Sequence, residues 1–268
     1  MSYKMYFKVL SLIFIYANVT KFSVLSASTK LSWCDPELCP NGGTNIACNN
    51  DGNFNERCPP DTTMLDLRPY RSFILHEHNK RRNFIAAGLL PGYYPASRMA
   101  TMIWDDELAY LAALNLKACY VDHDPCHNSY RFRNVGQNLS GVDRQHDLPT
   151  NITDLLLQSM GLWFGEYPLI DSSYISKFRV ASNFEEYGHF VETVIDRNTH
   201  VGCAMVRYTH AEYPFLYIYN TACNYGSVYA VGAEVYRVGE PASECETGSN
   251  PFYPSLCSIE EKMNPNYS

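Results

Sequence analysis

Residues 187–203 read YGHFVETVIDRNTHVGC, and the assignment of this stretch decides the fold of the second half of the chain. Apart from His189 it alternates much as a strand does, and β-branched residues are frequent. The period of two continues in VGCAMVRY (201–208), FLYIYNTAC (215–223) and GAEVYRV (232–238). The sequence therefore predicts a sheet after residue 188, and it leaves open what His189 does there.

The first half has the period of helices. Residues 70–87 place Ile74, His78 and Ile85 on one stripe, and Gly88 is expected to end this helix. A second helix follows Asp105, a capping residue, and a third spans 153–166 before Pro168. Their predicted buried faces are Leu108, Leu111 and Ala112 in the second helix, and Leu156, Met160, Trp163 and Phe164 in the third. Helices followed by strands indicate an α+β domain with an antiparallel sheet.

The N-terminus has the pattern of a secretory signal peptide. A basic segment, MSYKMYFK, precedes an apolar run, VLSLIFIYANV, and small residues follow. The apolar run is too short for a transmembrane helix, which needs about 20 residues. We expect a signal peptide over 1–27, cleaved between Ser26 and Ser28, and a secreted, extracellular protein without stable membrane insertion.

Removal of the signal peptide makes the chain more acidic. Lys+Arg falls from 21 to 18 against 28 Asp+Glu, which gives a net charge of about −10 at pH 7. A chain of this charge lacks the basic surface that binds nucleic acid or anionic membranes. About 240 residues remain, enough for one sizeable core, and we expect a monomer.

The cysteines indicate a disulfide-rich protein. All ten follow residue 27, and an even number in an oxidising compartment predicts five disulfides. CYVDHDPC (119–126) also resembles a Cys/His zinc cluster, but no second ligand pair follows at short spacing, so disulfides are favoured. Spacing alone does not choose among the roughly nine hundred pairings.

Composition divides the chain into four parts. After the signal peptide, residues 28–63 form a disulfide-linked segment that is rich in Cys, Asn, Gly and Pro and has little core of its own. Residues 64–238 carry the predicted helices and strands. Residues 239–268 form a tail that contains the last two cysteines.

Standard catalytic signatures such as G-x-S-x-G, the P-loop and H-E-x-x-H are absent from the sequence. In HEHNKRR (76–82) the histidines are two apart and point to different sides of a helix. His78 is interpreted as a hydrogen-bonded core histidine, and Arg81 and Arg82 as a helix face with ion pairs.

Four polar residues remain as site candidates: His123, Gln137, Glu166 and His189. Cysteines flank His123, which would hold its loop firmly, and Glu166 ends the third helix. Nothing in the spacing shows that the four meet. On spacing alone, each is more simply a surface or capping residue.

The order of short motifs resembles the CAP superfamily of cysteine-rich secretory, antigen-5 and pathogenesis-related proteins. The chain is most similar to the insect antigen-5-related (venom allergen-like) proteins, from about Trp33 to the C-terminus. The motifs that carry the resemblance are HNKRR (78–82), WDDELAYLAA (104–113), HDPC (123–126), VGQNL (135–139), WFGE (163–166), GHF with THVGC (188–203) and CNY (223–225). The resemblance implies an α-β-α sandwich with a central antiparallel sheet, the CAP (SCP) domain, over 64–238.

The resemblance also implies a cleft and a disulfide pattern. Its two histidines fall on His123 and His189 and one acid on Glu166, while the second acidic position is Gln137. The family's disulfides carry over as Cys34–Cys48, Cys39–Cys126, Cys58–Cys119 and Cys203–Cys223, which leaves Cys245–Cys257 as a fifth pair.

The chain departs from the family pattern next to the cleft. Val191, Glu192 and Ile195 stand where the family usually has Thr, Gln and Trp, and GSVY (226–229) replaces a frequent Pro-Gly-Gly-Asn. The cleft-rim specificity of the family therefore does not carry over. The hinge and additional cysteine domain of vertebrate relatives are missing from the sequence, so channel blocking is not carried over either.

Two converging imidazoles can bind Zn²⁺ or a similar divalent ion. A catalytic zinc normally has three protein ligands, a water and a base, whereas Glu166 could be a third ligand or a base but not both. Gln137 does not ionise. We therefore expect a weakly bound, exchangeable metal at His123 and His189, no required cofactor and no catalytic residue.

The favoured function is a secreted, non-enzymatic binding protein. The resemblance implies a small lipid or sterol ligand, or a protein target in an extracellular fluid. The alternatives are a metal-dependent hydrolase or peptidase that uses His123, His189 and Glu166, and a purely structural secreted protein. Asn151, in Asn-Ile-Thr, is the favoured N-glycosylation acceptor, whereas Asn138 is expected to be buried.

Overall fold

The computed structural model describes residues 32–180 and 187–266. The expected signal peptide and its cleavage site lie outside these residues. Within these two ranges no helix combines the length and the apolar composition that a membrane span requires.

The three predicted helices are confirmed, and the ends of the first and third differ from the prediction by no more than two residues. Asp105 caps the second helix, because its Oδ1 accepts from the backbone N–H groups of Glu107 and Leu108. Gly88, with φ 71°, follows the first helix. The helices are α1 (Arg71–Ala86), α2 (Asp106–Leu116), α3 (Ile152–Phe164), α4 (Ser172–Ser176) and α5 (Gly188–Val194).

The strands form one five-stranded sheet. In the order β1-β4-β5-β3 neighbouring strands are antiparallel, and β2 pairs with β4 in parallel. Two of the predicted strands are confirmed as the central hairpin, β4 and β5. The strands are β1 (Thr63–Leu65), β2 (Ile103–Trp104), β3 (Gly136–Gln145), β4 (His200–Thr209) and β5 (Leu216–Tyr225).

The strand-like reading of 187–203 is wrong for its first part. Residues Gly188–Val194 form helix α5, and Phe190 to Val194 are all buried. A helix that is enclosed on nearly every side shows no polar face, so its period of 3.6 is invisible in the sequence. The correction places His189 in the first turn of a helix, not on a strand.

The strand predicted at 232–238 is also absent from the described sheet. This segment makes a single bridge, Ala96 to Val238, and its backbone bonds other parts of the fold instead: the N–H of Val235 donates to the carbonyl of Ile175 in α4, and the carbonyl of Val235 accepts from the N–H of Asp196. Its apolar residues reflect burial rather than sheet pairing, since Val235 and Tyr236 are 1% and 0% exposed.

Helices cover both faces of the sheet, as the α-β-α sandwich requires. One face packs against α2 through Ala112, Leu116, Ala204 and Ala222, among others. The opposite face packs against α1 and α3, where Ile74, Met160 and Trp163 contact Met205 and Tyr225 in a second apolar cluster. Gly202 permits the close approach of α2, because a Cβ there would lie 2.2 Å from the N of Ala109.

The polar residues of α1 divide into two kinds. His78 is a core histidine, as predicted: it is 1% exposed, its Nδ1 bonds the carbonyl of Ile74, and its Nε2 bonds the Tyr225 hydroxyl. Arg81 pairs with Glu77. The surface reading of Arg82 is wrong, because this side chain is 0% exposed and donates to four backbone carbonyls, those of Ala100, Thr193, Ile195 and Asp196. Arg82 therefore ties α1 to the segment after α5.

Five disulfides join the ten cysteines, with the pairs that the resemblance implies. Cys203 and Cys223 stand opposite each other on β4 and β5. Cys39–Cys126 and Cys58–Cys119 connect the N-terminal segment to the loop that carries His123. Cys34–Cys48 lies within the N-terminal segment, and Cys245–Cys257 lies within the C-terminal tail. The pairs are Cys34–Cys48, Cys39–Cys126, Cys58–Cys119, Cys203–Cys223 and Cys245–Cys257.

Candidate functional site

His189 is held by Glu166 from the end of α3. The Nδ1 of His189 lies 2.7 Å from Oε1 of Glu166, while Oε2 accepts from the backbone N–H of Phe190 at 2.9 Å. An ionised carboxylate only accepts, so Nδ1 of His189 carries the proton, and in the neutral ring the lone pair lies on Nε2. Both oxygens of Glu166 are thus engaged in holding the first turn of α5.

His123 is held by an amide instead of a carboxylate. Its Nδ1 lies 2.8 Å from Oε1 of Gln137, on β3. The Nε2 of Gln137 donates to Oδ2 of Asp124 (3.2 Å) and to Oδ1 of Asn224 (3.0 Å). Since the Gln137 oxygen accepts, the neutral His123 ring also carries its proton on Nδ1 and leaves Nε2 open.

Asp124 is the charged centre of the second network. Its Oδ1 bonds Nδ1 of His127 at 2.8 Å, and its Oδ2 accepts from Asn115 and Gln137. Burial raises the pKa of Asp124, but the hydrogen bonds from His127, Asn115 and Gln137 outweigh it, so the net pKa lies below its usual range. Asp124 is therefore an ionised acceptor at neutral pH.

His123, Gln137 and His189 line one cavity of about 580 Å³. Apolar side chains, including Val121, Val135, Leu139 and Val228, share the wall with these polar groups. Its size and its mixture of apolar wall and few polar groups are typical of a small-molecule site. Glu166 lies behind His189, and it is not among the residues that line this cavity.

The two histidines fit a metal only as a two-ligand site. Their Nδ1 atoms are held and no protein group in the described ranges is hydrogen-bonded to either Nε2, which is the arrangement that outer partners impose on metal-binding histidines. However, no cluster of three or more His, Cys, Asp or Glu able to hold a metal occurs among the described residues. Glu166 therefore orients His189 and is not placed as a third metal ligand.

Glu192 is a second carboxyl beside the cleft, one turn after His189 on α5. It lines the same cavity, yet it is 1% exposed and its Oε1 accepts from Asn198 Nδ2 at 3.0 Å. Burial raises the pKa of Glu192 to about 8, against the hydrogen bond from Asn198, which acts to lower it. Gly136 leaves room for this carboxyl, because a Cβ there would lie 2.2 Å from Cδ of Glu192.

The sequence predicted the two histidines and their direct partners, Gln137 and Glu166, but not the residues that bond Gln137 in turn. Asp124 stands inside the HDPC motif, Asn224 inside CNY, and His127 directly after HDPC. No local pattern shows that Asp124 and Asn224 both accept from Gln137, or that His127 bonds Asp124. Glu192 had a signal, since it stands where the resemblance expects Gln.

The fold and the cleft define a protein of the CAP class. The sequence model of the Cysteine-rich secretory protein family matches residues 75–225, and the chain belongs to this family. Among curated relatives, Venom allergen-1 of Aedes aegypti is 34% identical over 249 residues, which cover 90% of this chain and 92% of the relative. The Antigen 5 like allergen Cul n 1 of Culicoides nubeculosus is 36% identical over 74% of this chain and 93% of its own length.

Solved structures show the same fold. The crystal structure of NaASP2 with Zn²⁺ superposes with a TM-score of 0.57 at 23% identity, over 75% of this chain and all of that chain. At this identity the likeness concerns the fold alone.

Proposed function

We propose that the protein is a secreted, non-enzymatic binding protein of the antigen-5 type, whose central cleft takes a small lipid or sterol. The observation that carries the proposal is the cavity of about 580 Å³ whose wall joins apolar side chains to His123 and His189. The apolar wall removes ligand hydrocarbon from water, and the few polar groups fix its orientation.

The position of Glu166 supports binding over catalysis. A metal-dependent hydrolase would need a third ligand and a free base, but both oxygens of Glu166 accept hydrogen bonds from His189 and Phe190. A carboxylate in that position orients an imidazole, and since each of its oxygens already bonds a protein donor it is not placed as the free base of a hydrolase.

The ligand can be identified from protein purified in its native, secreted form. Lipids extracted from it and analysed by mass spectrometry are expected to be enriched over a mock purification. The matched variant is Leu139→Asn, which makes the cavity wall polar. An extract no richer than the mock, from wild type as from the variant, would contradict the lipid proposal and leave a protein target in an extracellular fluid as the function to test.

The hydrolase alternative has its own test. Turnover of peptide and ester panels that is abolished by chelator and by Glu166→Gln would establish it and overturn the non-enzymatic proposal. We expect no turnover above that of a heat-inactivated sample.

The cleft is also proposed to exchange a divalent metal weakly, through His123 and His189. The support is the pair of open Nε2 atoms, and Zn²⁺ is the ion to use because the fold-related NaASP2 structure contains it. Calorimetry should show saturable Zn²⁺ binding that His189→Ala abolishes; a wild type that binds no Zn²⁺ would make the four residues a structural network.

Secretion is proposed to be accompanied by N-glycosylation at Asn151. This residue caps α3 through its Oδ1, which accepts from Thr153, so the exposed Nδ2 remains available for a glycan. Peptide mapping of secreted material should find Asn151 modified, and Asn151→Gln should remove the added mass. Unmodified Asn151 in secreted protein would contradict this.

A further inference from the structure

Both cleft histidines carry their proton on Nδ1, but different groups hold them in this tautomer. The groups around His123 include Asp124, to which no role has been assigned. His189 is fixed by a direct hydrogen bond to the carboxylate of Glu166. His123 contacts only the amide of Gln137, and an amide can turn either its oxygen or its NH₂ towards a ring nitrogen. Something must decide which way this amide points.

We propose that Asp124 is a positioning residue that fixes the orientation of the Gln137 amide and, through it, the tautomer of His123. The inference has two readouts, and only the Zn²⁺ affinity rests on the proposed metal exchange. Position 137 of the cleft holds an amide instead of a carboxylate. Asp124 supplies a carboxylate one hydrogen bond further from His123, on the other side of Gln137.

The hydrogen-bond chain has one consistent direction. Oδ2 of Asp124 only accepts, so the Gln137 atom that lies 3.2 Å away must be the NH₂ group. The Gln137 oxygen then faces Nδ1 of His123 at 2.8 Å, and this nitrogen must carry the proton. The neutral ring is left with its lone pair on Nε2.

Asp124 is itself well fixed. Its side chain is 7% exposed, Nδ2 of Asn115 donates to Oδ2, and Nδ1 of His127 bonds Oδ1. His127 is held in turn, since its Nε2 lies 3.1 Å from the carbonyl of Val135. A carboxylate with this many donors around it keeps one position, as a positioning group must.

The second partner of the Gln137 NH₂ group, Asn224, does not fix the amide alone. Its Oδ1 accepts from Gln137 at 3.0 Å, but Asn224 is an amide as well and can turn. In the part of the chain that the structure describes, its Nδ2 has no hydrogen-bond partner, so no other hydrogen bond of the Asn224 side chain resists that turn. Only the acceptor-only Asp124 removes the ambiguity.

The test is the side-chain tautomer of His123 in the metal-free protein, read from long-range ¹H–¹⁵N NMR spectra. The wild type is expected to carry the proton on Nδ1; a wild-type ring protonated on Nε2 alone would overturn the proposal without any variant. In Asp124→Ala, the Gln137 NH₂ group keeps only the Asn224 amide, which can itself turn, as a partner; the Gln137 amide can then turn, and His123 should shift from Nδ1–H alone towards a mixture with the Nε2–H tautomer. His189 should not change, which serves as an internal check on folding.

A double variant tests the relay, and a charge control separates it from a simple loss of charge. Gln137→Glu combined with Asp124→Ala places an acceptor-only group directly on His123, so the Nδ1–H tautomer should return. Asp122→Asn is the matched charge control: among the described residues the Asp122 carboxylate bonds only the backbone N–H of His123, and its neutralisation should leave the tautomer unchanged. An unchanged His123 in Asp124→Ala, or no recovery in the double variant, would overturn the proposal.

Zinc titration provides the second readout. Outer partners of metal-binding histidines typically matter 10- to 100-fold in affinity, so Asp124→Ala should weaken Zn²⁺ binding by about 10-fold and the double variant should restore it. If the wild type binds no Zn²⁺, the metal part of the proposed function fails. The tautomer measurement still decides the role of Asp124, because it uses no metal.

Discussion

The two halves of the cleft present the same chemical group by different means. On one side His189 stands on helix α5, is 26% exposed, and is oriented by Glu166 from the end of α3. On the other side His123 lies in an exposed loop and depends on Gln137, Asp124 and the disulfides at Cys119 and Cys126. One half is thus ordered by a helix and a single ion, and the other by a network of neutral and charged groups.

This difference indicates which half is easier to disturb. A carboxylate fixes its partner in one step, whereas an amide must be fixed by something else. The His123 half therefore contains more residues whose loss would show in the site, and the experiments below perturb the halves separately.

The largest effect is expected from removing the Cys39–Cys126 disulfide by Cys39→Ser with Cys126→Ser. The bond closes a separation of 87 residues, and loss of such a disulfide costs about 4 kcal/mol of unfolding free energy. Because Cys126 anchors the HDPC loop, the His123 ring should also lose its single tautomer while His189 retains Nδ1–H. Chemical denaturation and the NMR spectra measure the two effects.

The matched control is Cys245→Ser with Cys257→Ser, which opens a separation of 12 residues in the tail. It should cost less stability and leave both histidines unchanged. Equal disturbance of His123 and His189 in the Cys39–Cys126 variant would contradict the distinction between the two halves.

On the His189 side, Glu166→Gln is expected to weaken Zn²⁺ binding by about 10- to 100-fold. The backbone N–H of Phe190 can only donate, so it takes the single amide oxygen, and the NH₂ group then faces Nδ1 of His189. That contact selects the Nε2–H tautomer and removes the lone pair from the cavity. Calorimetry and histidine NMR check the prediction; unchanged affinity with Nδ1–H retained would refute it.

The last prediction concerns the pH dependence of stability that Glu192, the second carboxyl of the His189 half, contributes. In the unfolded chain it ionises near pH 4.3, whereas in the folded protein its pKa is raised to about 8. Between these values the folded state binds more protons, so its unfolding free energy falls as pH rises, by up to about 1.4 kcal/mol per pH unit. Glu192→Gln should remove this contribution.

Denaturation at pH 5, 6.5 and 8 with the disulfides intact tests this. The stability of Glu192→Gln relative to the wild type should increase with pH, and the exposed control Glu212→Gln should track the wild type. Parallel profiles for Glu192→Gln and the wild type would show that Glu192 ionises as an ordinary surface acid.

Much of the architecture was determined by the sequence itself. The stripes of α1, α2 and α3, the cap at Asp105 and the period of two in β4 and β5 are local patterns, and the structure confirms each of them. The motifs in their order identified the family, and the resemblance pointed to His123 and His189.

Tertiary structure decided what local patterns do not encode. Helix α5 is enclosed on nearly every side and reads as a strand, β3 is built from poor strand formers such as Gly136 and Asn138, and Arg82 enters the core because backbone carbonyls of distant segments surround it. The same holds for the site. Which ring nitrogen of each histidine carries the proton depends on acceptors that other segments of the chain bring within 3 Å. The local sequence around a histidine does not encode these contacts.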